Sequence, residues 1–178
     1  MKFVADVMLG KLARWLRILG FDTVYGNRAE DRELLQTARR DRRVLLTRDH
    51  RLLESAKNIR GLLVESDDWR AQLVQVLGAF ELRRGARPFS RCLACNARLR
   101  RLSRKDARNL VAPFVYEQAA SFAICPECGR VYWPGTHFAD MDARLTEILG
   151  SSPRAAGRVG SAMARTGKKP YNKSAPRD

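Results

Sequence analysis

The feature that most restricts the fold of this chain is its set of four cysteines, which form two Cys-x-x-Cys pairs. The pairs are Cys92–Cys95 and Cys125–Cys128. Each pair can present two thiolates from one tight turn, and two such turns complete a tetrahedron of sulfur around one ion. Asn96 and Gly129, which follow the pairs, suit such turns because both residue types tolerate positive φ. The spacing therefore predicts a small ribbon module built around one structural Zn²⁺.

The cysteines have two alternative uses: two disulfides, or a redox dithiol. The N-terminus has no signal-peptide core, because Asp6 and several cations interrupt its apolar start, and no apolar run reaches membrane-spanning length. We therefore expect a cytoplasmic protein with no membrane segment, a setting that disfavours disulfides. The paired arrangement also favours zinc over a redox site. Four thiolates leave no open coordination position, so this zinc should stabilise structure and take no part in catalysis.

Ahead of the cysteines, short apolar segments alternate with helical patterns. Strands are expected at 2–5, 21–25, 44–47 and 61–65, because these segments are short, apolar and bounded by polar residues. Helices are expected at 8–19, at 31–40, around 52–56 and from 66 to 80, and Gly20 is expected to end the first of them. This alternation predicts an α/β fold: a small three-layer domain with a parallel sheet and right-handed crossovers.

The chain divides into three predicted regions. The α/β domain spans 1–84, and a linker rich in Arg, Gly and Pro follows at 83–88. The zinc ribbon spans 89–149, with a basic helical or loop insertion between its cysteine pairs and a last helix at 139–149. Residues 150–178 form a basic tail that is expected to be disordered, because its composition cannot build a core.

The formal net charge is +15 and the isoelectric point is about 10.6. A surplus this large on a small chain favours a polyanionic partner, most simply nucleic acid. The alternative is a solubilising or ribosome-associated basic surface without catalysis.

Several aspartates follow the predicted strands. Asp6 comes directly after the first strand, Asp49 closely follows the third, and Asp67 and Asp68 follow the fourth. Ligands of parallel sheets bind beyond the carboxyl ends of the strands, and carboxylates are ligands that Mg²⁺ and Mn²⁺ prefer. Such ions can serve phosphodiester hydrolysis. Asp31 joins this set if its helix starts at the same edge.

Each of these residues also has a simpler interpretation. Asp31, Asp67 and Asp68 could be helix caps. Thr47 and Arg48 are candidates for positioning the site or binding a phosphate. Lys11, Arg14 and Arg17 follow Asp6 on the first helix, where they are either substrate contacts or a solvated helix face.

The order and spacing of these segments resemble the PIN-like RNase family named for the C-terminal domain of the Mut-7 exonuclease. The resemblance covers about residues 2–138. It is carried by four segments: Phe3 to Arg17, Asp31 to Leu35, Val44 to Asp49, and the two cysteine pairs ending at Trp133.

The resemblance implies a PIN-like fold, divalent-metal-dependent ribonuclease activity and a fused zinc ribbon. The family's acids fall on Asp6, Asp31 and Asp49. A fourth acid has no clear match, and Asp67 or Asp68 is the nearest candidate.

We therefore expect a ribonuclease that uses Mg²⁺ or Mn²⁺, with RNA as its partner, whether free, as tRNA or in a ribosome. The main alternative is a non-catalytic RNA- or ribosome-binding zinc-ribbon protein, and a DNA-directed nuclease is a third option. Tyr132, Trp133 and Phe138 are candidates for base stacking, although core packing is expected of the first two. His137 is expected to be a surface residue or a nucleic-acid contact.

Overall fold

Four short apolar segments form a parallel sheet in a computed structural model, which describes residues 1–135, 138–150 and 165–166. The strands are β1 (Lys2–Ala5), β2 (Asp22–Tyr25), β3 (Val44–Thr47) and β4 (Gly61–Leu63), in the spatial order β2-β1-β3-β4. The described residues fall into two units, Met1–Asn96 and Ala97–Asp178, and the first unit contains this sheet.

The first unit places helices after each strand. They are α1 (Gly10–Ile18), α2 (Asp31–Asp41), α3 (His50–Ser55) and α4 (Trp69–Ala79), with 3-10 turns at Val7–Leu9 and Arg83–Gly85. On one face of the sheet, Val4 and Leu45 pack with apolar residues of α2 and α3. The Phe3 side chain, which alternates with Val4, contacts the rings of Phe21 and Phe80 instead. The α/β fold with a parallel sheet is confirmed.

Gly20 ends α1 as the sequence predicts. Its φ is +88°, and a Cβ at this position would lie 2.2 Å from the carbonyl oxygen of Arg87. Only glycine meets both conditions, because it alone tolerates positive φ freely and has no side chain.

The second unit contains a small antiparallel sheet. Its strands are β5 (Arg100–Leu102), β6 (Phe122–Ile124), β7 (Val131–Trp133) and β8 (Arg165–Thr166), in that order, and its helices are α5 (Arg104–Ala107), α6 (Pro113–Gln118) and α7 (Phe138–Leu149). Ala107, Val115, Phe122 and Trp133 are among the residues of its core. The basic insertion, expected as helix or loop, also supplies the edge strand β5.

The expected disordered tail falls mostly on residues outside those that the structure describes. Of its described residues, Gly150 directly follows α7, and Arg165–Thr166 pairs with β7. Of the helices in the described residues, none is long and apolar enough to cross a membrane.

Candidate functional site

The parallel sheet brings Asp6 and Asp49 to its carboxyl edge on neighbouring strands. Asp6 directly follows β1, and Asp49 follows β3 after one intervening residue. From β2 on one side of β1, the chain crosses to β3 on the other side. Such a reversal opens a crevice at the carboxyl edge where ligands of α/β sheets bind.

Thr47 connects the two aspartates through its side-chain hydroxyl. The Thr47 Oγ1 donates to Asp6 Oδ2 at 2.8 Å and accepts from the backbone N–H of Asp49 at 2.9 Å. Thr47 is fully buried and Asp6 is 5% exposed. Because a buried carboxylate needs a hydrogen-bond partner, this contact fixes the Asp6 side chain with one oxygen still available.

Asp49 is exposed and caps α3. Its Oδ1 accepts from the backbone N–H groups of Arg51 at 2.7 Å and Leu52 at 3.2 Å. Asp49 is therefore held at the sheet edge by an ordinary N-cap, which explains its position independently of any chemistry.

Asp31 is the first residue of α2 and is exposed. The cap itself is Glu30, whose backbone N–H donates to Glu33 Oε2 at 3.3 Å. Within the described part of the chain, the Asp31 carboxylate makes no hydrogen bond or ion pair. The structure therefore places the cap one residue before Asp31.

The three acids do not form a ready metal-binding group. Within the residues described, the cysteines are the one set of three or more potential ligand side chains close enough to hold an ion.

The residues after β4 have other contacts. Asp68 caps α4 by accepting from the backbone N–H of Ala71 at 3.3 Å. Asp67 is 86% exposed and forms an ion pair with Arg48 Nη1. The Arg48 Nε is buried and has no hydrogen-bond partner within the described residues. Arg48 thus lies between Thr47 and Asp49 with a donor unused.

The three cations of α1 differ in their surroundings. Lys11 and Arg14 are exposed, whereas Arg17 is 7% exposed. The Arg17 Nε donates to the carbonyl of Thr23 at 2.8 Å, and its Nη1 donates to the carbonyls of Leu93 at 3.0 Å and Ala94 at 3.2 Å. These contacts give Arg17 a structural role in holding the first cysteine turn.

The four cysteines form one cluster. All four Sγ atoms lie within 4.8 Å of one another. Zn–S bonds of about 2.3 Å in a tetrahedron put sulfurs about 3.8 Å apart, so a small contraction would seat the ion. The cluster is consistent with a structural zinc.

Both cysteine turns have the same backbone conformation. The N–H of Asn96 donates to the Cys92 carbonyl at 2.9 Å, and that of Gly129 to the Cys125 carbonyl at 3.0 Å. Asn96 and Gly129 both have a φ of +68°. Matching left-handed residues after each pair confirm the prediction made from their types.

Asn96 has a second role that the sequence did not indicate. Its Oδ1 accepts from the N–H of Thr23 at 3.0 Å, and its Nδ2 donates to Asp22 Oδ1 at 2.8 Å. Because β2 is an edge strand, the N–H and C=O of Thr23 have no neighbouring strand to pair with on one side. Asn96 accepts from that N–H, and Arg17 donates to that C=O. No local pattern could reveal contacts between residues more than 70 positions apart.

Asp22 is the acceptor at the centre of these contacts. Its carboxylate accepts from Arg43 Nη1 at 2.6 Å and pairs with Arg91 Nη2 at 3.2 Å, besides Asn96. Burial alone would raise the pKa of Asp22, but the hydrogen bonds from Arg43 and Asn96 and the charges of both arginines outweigh it. The pKa of Asp22 is therefore lowered, and the carboxylate is ionised at neutral pH.

The candidate stacking residues lie mostly in the core. Tyr132 is 1% exposed and Trp133 is 9% exposed, as expected for core packing. His137 and the side chain of Phe138 lie outside the part of the chain that the structure describes.

Comparison with protein families gives a match to the Mut7-C RNAse domain over residues 1–145. No curated protein and no solved structure matches the chain. The matched region contains β1 to β4, Asp6, Asp31, Asp49 and all four cysteines, in agreement with the resemblance in sequence. The chain belongs to the Mut7-C RNase domain family.

Proposed function

We propose that this protein is a divalent-metal-dependent endoribonuclease whose acids are Asp6, Asp31 and Asp49. The observation that carries the proposal is the hydrogen-bonded connection from Asp6 through Thr47 to Asp49. It lies at the carboxyl edge of neighbouring strands, in a chain of an RNase domain family.

The donors at this edge suit a hard cation. Asp6 and Asp49 each have one carboxylate oxygen without a hydrogen bond to any described residue, and Asp31 has two. Carboxylate oxygen is a preferred ligand of Mg²⁺ and Mn²⁺, so these three residues would hold the ion. A bound ion would supply Lewis acidity, lowering the pKa of a water and stabilising charge on the leaving oxygen.

The other residues at this edge would orient the RNA. Thr47 keeps one oxygen of Asp6 fixed, so the free oxygen has a defined direction. Arg48 would release Asp67 and bind a phosphate of the RNA instead. Its ion pair with Asp67 is weak, because the Asp67 side chain is highly exposed to water. The exposed Lys11 and Arg14 would contact neighbouring phosphates, which supplies affinity without reading sequence.

We assign the zinc ribbon an accessory role in binding RNA. Six exposed cations lie between residues 98 and 108, and none forms an ion pair with a described residue. They are Arg98, Arg100, Arg101, Arg104, Lys105 and Arg108. A single strand, a tRNA or ribosomal RNA would each offer the phosphates that such a surface attracts.

The test measures cleavage of a labelled RNA in Mn²⁺ or Mg²⁺ by the wild type, Asp6→Asn, Asp31→Asn and Asp49→Asn. Glu54→Gln is the matched control, because it also converts an exposed carboxylate to an amide, within the helix that Asp49 caps. The proposal requires that the three aspartate variants lose activity by about a hundredfold or more while Glu54→Gln retains it. Cleavage that survives both Asp6→Asn and Asp49→Asn would exclude it.

A second candidate is a non-catalytic RNA- or ribosome-binding protein. It is favoured by one observation: the described acids do not form a ready group of three metal ligands. In that case Asp49 would serve only as the cap of α3. Binding of RNA without cleavage in either metal, by a preparation with its zinc in place, would favour this candidate.

A further inference from the structure

Two tryptophans of the first unit, one on α1 and one at the start of α4, stack face to face. The ring centroids of Trp15 and Trp69 are 4.5 Å apart, and the ring planes differ by 4°. Both residues are only partly buried. Of the buried side-chain donors in the described chain, only Arg48 Nε lacks a partner. The two indole N–H groups, which make no hydrogen bond to a described residue, therefore reach the solvent.

The two faces of the Trp69 ring have different neighbours. The guanidinium carbon of Arg70 lies 4.5 Å from the centroid of this ring, as does the centroid of the Trp15 ring. Two groups cannot both approach the centre of a ring this closely from one side, so Trp15 and Arg70 lie on opposite faces. The Arg70 side chain is 56% exposed, and its ion pair with Asp68 is 3.9 Å long. One face of Trp69 is therefore backed by a second ring, and the other is covered only by a weakly held, solvent-exposed side chain.

Hydrogen bonds fix the start of α4 and, with it, the position of Trp69. Asp68 caps the helix through the N–H of Ala71, and its own N–H donates to Ser66 Oγ at 3.1 Å. The buried Gln72 side chain donates to the carbonyl of Ser66 at 2.7 Å. A ring that is already held in place loses little conformational entropy when a ligand stacks on it. Trp69 is therefore preorganised for such a contact.

Trp69 also lies close to the acids of the proposed nuclease site. It follows Asp67 by two residues, so the two Cα atoms are at most about 7 Å apart. Asp67 in turn forms an ion pair with Arg48, the residue before Asp49. A single strand of RNA with one phosphate at the acids would therefore place a neighbouring nucleotide near the tryptophan pair.

We propose that the outer face of Trp69 binds one base of a single-stranded RNA, and that the base takes the place of Arg70 over the ring. Stacking of a base on an aromatic ring is stronger than an exposed cation–π contact, so the exchange is favourable. The displaced guanidinium would then contact a phosphate. A duplex keeps its bases stacked inside the helix and cannot make this contact. The inference rests on the proposed function, because it takes RNA as the substrate and specifies its class as unpaired RNA.

The test is RNA binding by the full-length, zinc-loaded protein in buffer without added Mg²⁺ or Mn²⁺. The probes are a labelled oligouridylate and a labelled blunt-ended RNA duplex. Trp69→Leu, which removes the ring but keeps an apolar side chain, should raise the Kd for the single strand about tenfold and leave that for the duplex nearly unchanged. The slope of log Kd against log salt should stay the same, whereas loss of one phosphate contact would reduce it by about 0.7. Trp69→Phe keeps a ring and should recover most of the affinity.

A second measurement does not depend on removing the ring. In the wild type, oligouridylate should quench part of the tryptophan fluorescence and the duplex should not, because only an unpaired base can stack on the indole. Trp69→Phe should lose most of this quenching while it still binds the single strand. Binding of oligouridylate that left the fluorescence of the wild type unchanged would contradict the proposal.

Wild-type binding of oligouridylate by Trp69→Leu would also overturn the proposal. Equal weakening for the single strand and the duplex, or a reduced salt slope, would do the same, because either would show a general loss of the binding surface. Thermal unfolding checks that each variant is folded. Cleavage of RNA by the same proteins in Mn²⁺ separates this site from the nuclease site. A loss of binding specific to Trp69→Leu without any cleavage by the wild type would support the stacking site and contradict the nuclease, and Asp49-dependent cleavage with Trp69→Leu unaffected in binding would do the reverse.

Discussion

The side chain of Thr47 donates a 2.8 Å hydrogen bond to Asp6 Oδ2 at the point where β1 and β3 end side by side. Both residues are buried. We therefore propose that Thr47 positions the carboxylate of Asp6, which the sequence predicts as a metal ligand.

We expect Thr47→Val to reduce the free energy of unfolding by about 1–3 kcal/mol, because valine has the same shape but leaves a buried Asp6 oxygen without its donor. Activity should fall as well, since Asp6 would lose its fixed direction. Urea unfolding and cleavage rates measure the two effects.

Thr47→Ser is the control for this change. It keeps the hydroxyl and removes only a methyl group, so its activity should stay close to that of the wild type. If Thr47→Val retained both wild-type stability and activity, the positioning role would be wrong.

Asp22 predicts a pH dependence of stability. Its pKa is below the ordinary value, so its interactions with Arg43, Arg91 and Asn96 stabilise the folded state fully above about pH 5 and lose this effect as the pH falls through the lowered pKa. Asp22→Asn should therefore destabilise the protein by about 1–3 kcal/mol at neutral pH. The difference from the wild type should shrink in acid.

Urea unfolding at several pH values measures this difference. Asp67→Asn serves as the comparison, because Asp67 is 86% exposed and its ion pair should contribute little to stability. A gap between the wild type and Asp22→Asn that stayed constant down to low pH would contradict the assignment.

The features that could be predicted from sequence are those encoded locally. Short apolar runs gave the four parallel strands, and residue types that tolerate positive φ marked Gly20, Asn96 and Gly129. Contacts between distant parts of the chain were missed. Helical spacing groups Arg17 with Lys11 and Arg14 among the possible substrate contacts. Two of the three carbonyls to which Arg17 donates, those of Leu93 and Ala94, are more than 70 residues away.

Among the candidate acids, too, some features could be predicted from the sequence and others could not. Asp6 and Asp49 reach the same edge because parallel strands end together, which the sequence pattern indicates. The cap of α2 is Glu30 and that of α4 is Asp68. In each case the choice between two neighbouring acids depends on where the helix begins, to within one residue. Composition cannot determine that register, because Asp and Glu both occur at each helix start.

The two cysteine turns should respond differently to substitution. Gly129→Ala should cost about 1 kcal/mol, because the space around the new Cβ is open and only the positive φ is strained. Asn96→Gly should cost about 2–4 kcal/mol, because it keeps the turn but removes the hydrogen bonds to Thr23 and Asp22. Asn96→Ala should be worse than Asn96→Gly by about 1 kcal/mol.

Thermal unfolding of the three zinc-loaded variants gives this ranking. Equal losses for Gly129→Ala and Asn96→Gly would mean that the Asn96 side chain contributes nothing beyond the turn.

The cysteine cluster predicts one tightly bound Zn²⁺ per chain. Replacement by Co²⁺ should give the visible absorption of tetrahedral thiolate coordination with intense sulfur-to-metal charge transfer. Cys125→Ser and Cys128→Ser should lose the metal and the antiparallel sheet beside it, because metal binding and folding are coupled in small modules. Metal analysis that gave no zinc in protein purified without chelator would contradict this prediction.

Asp49 allows its cap function to be separated from catalysis. Asn caps helices about as well as Asp, so Asp49→Asn should keep the hydrogen bonds to Arg51 and Leu52 and change stability by less than about 0.5 kcal/mol. Asp49→Ala removes the cap and should cost about 1 kcal/mol. If Asp49 also binds the catalytic metal, both variants should lose cleavage to the same extent despite their different stabilities. Activity that followed stability, high in Asp49→Asn and reduced in Asp49→Ala, would instead show that Asp49 acts only through the start of α3.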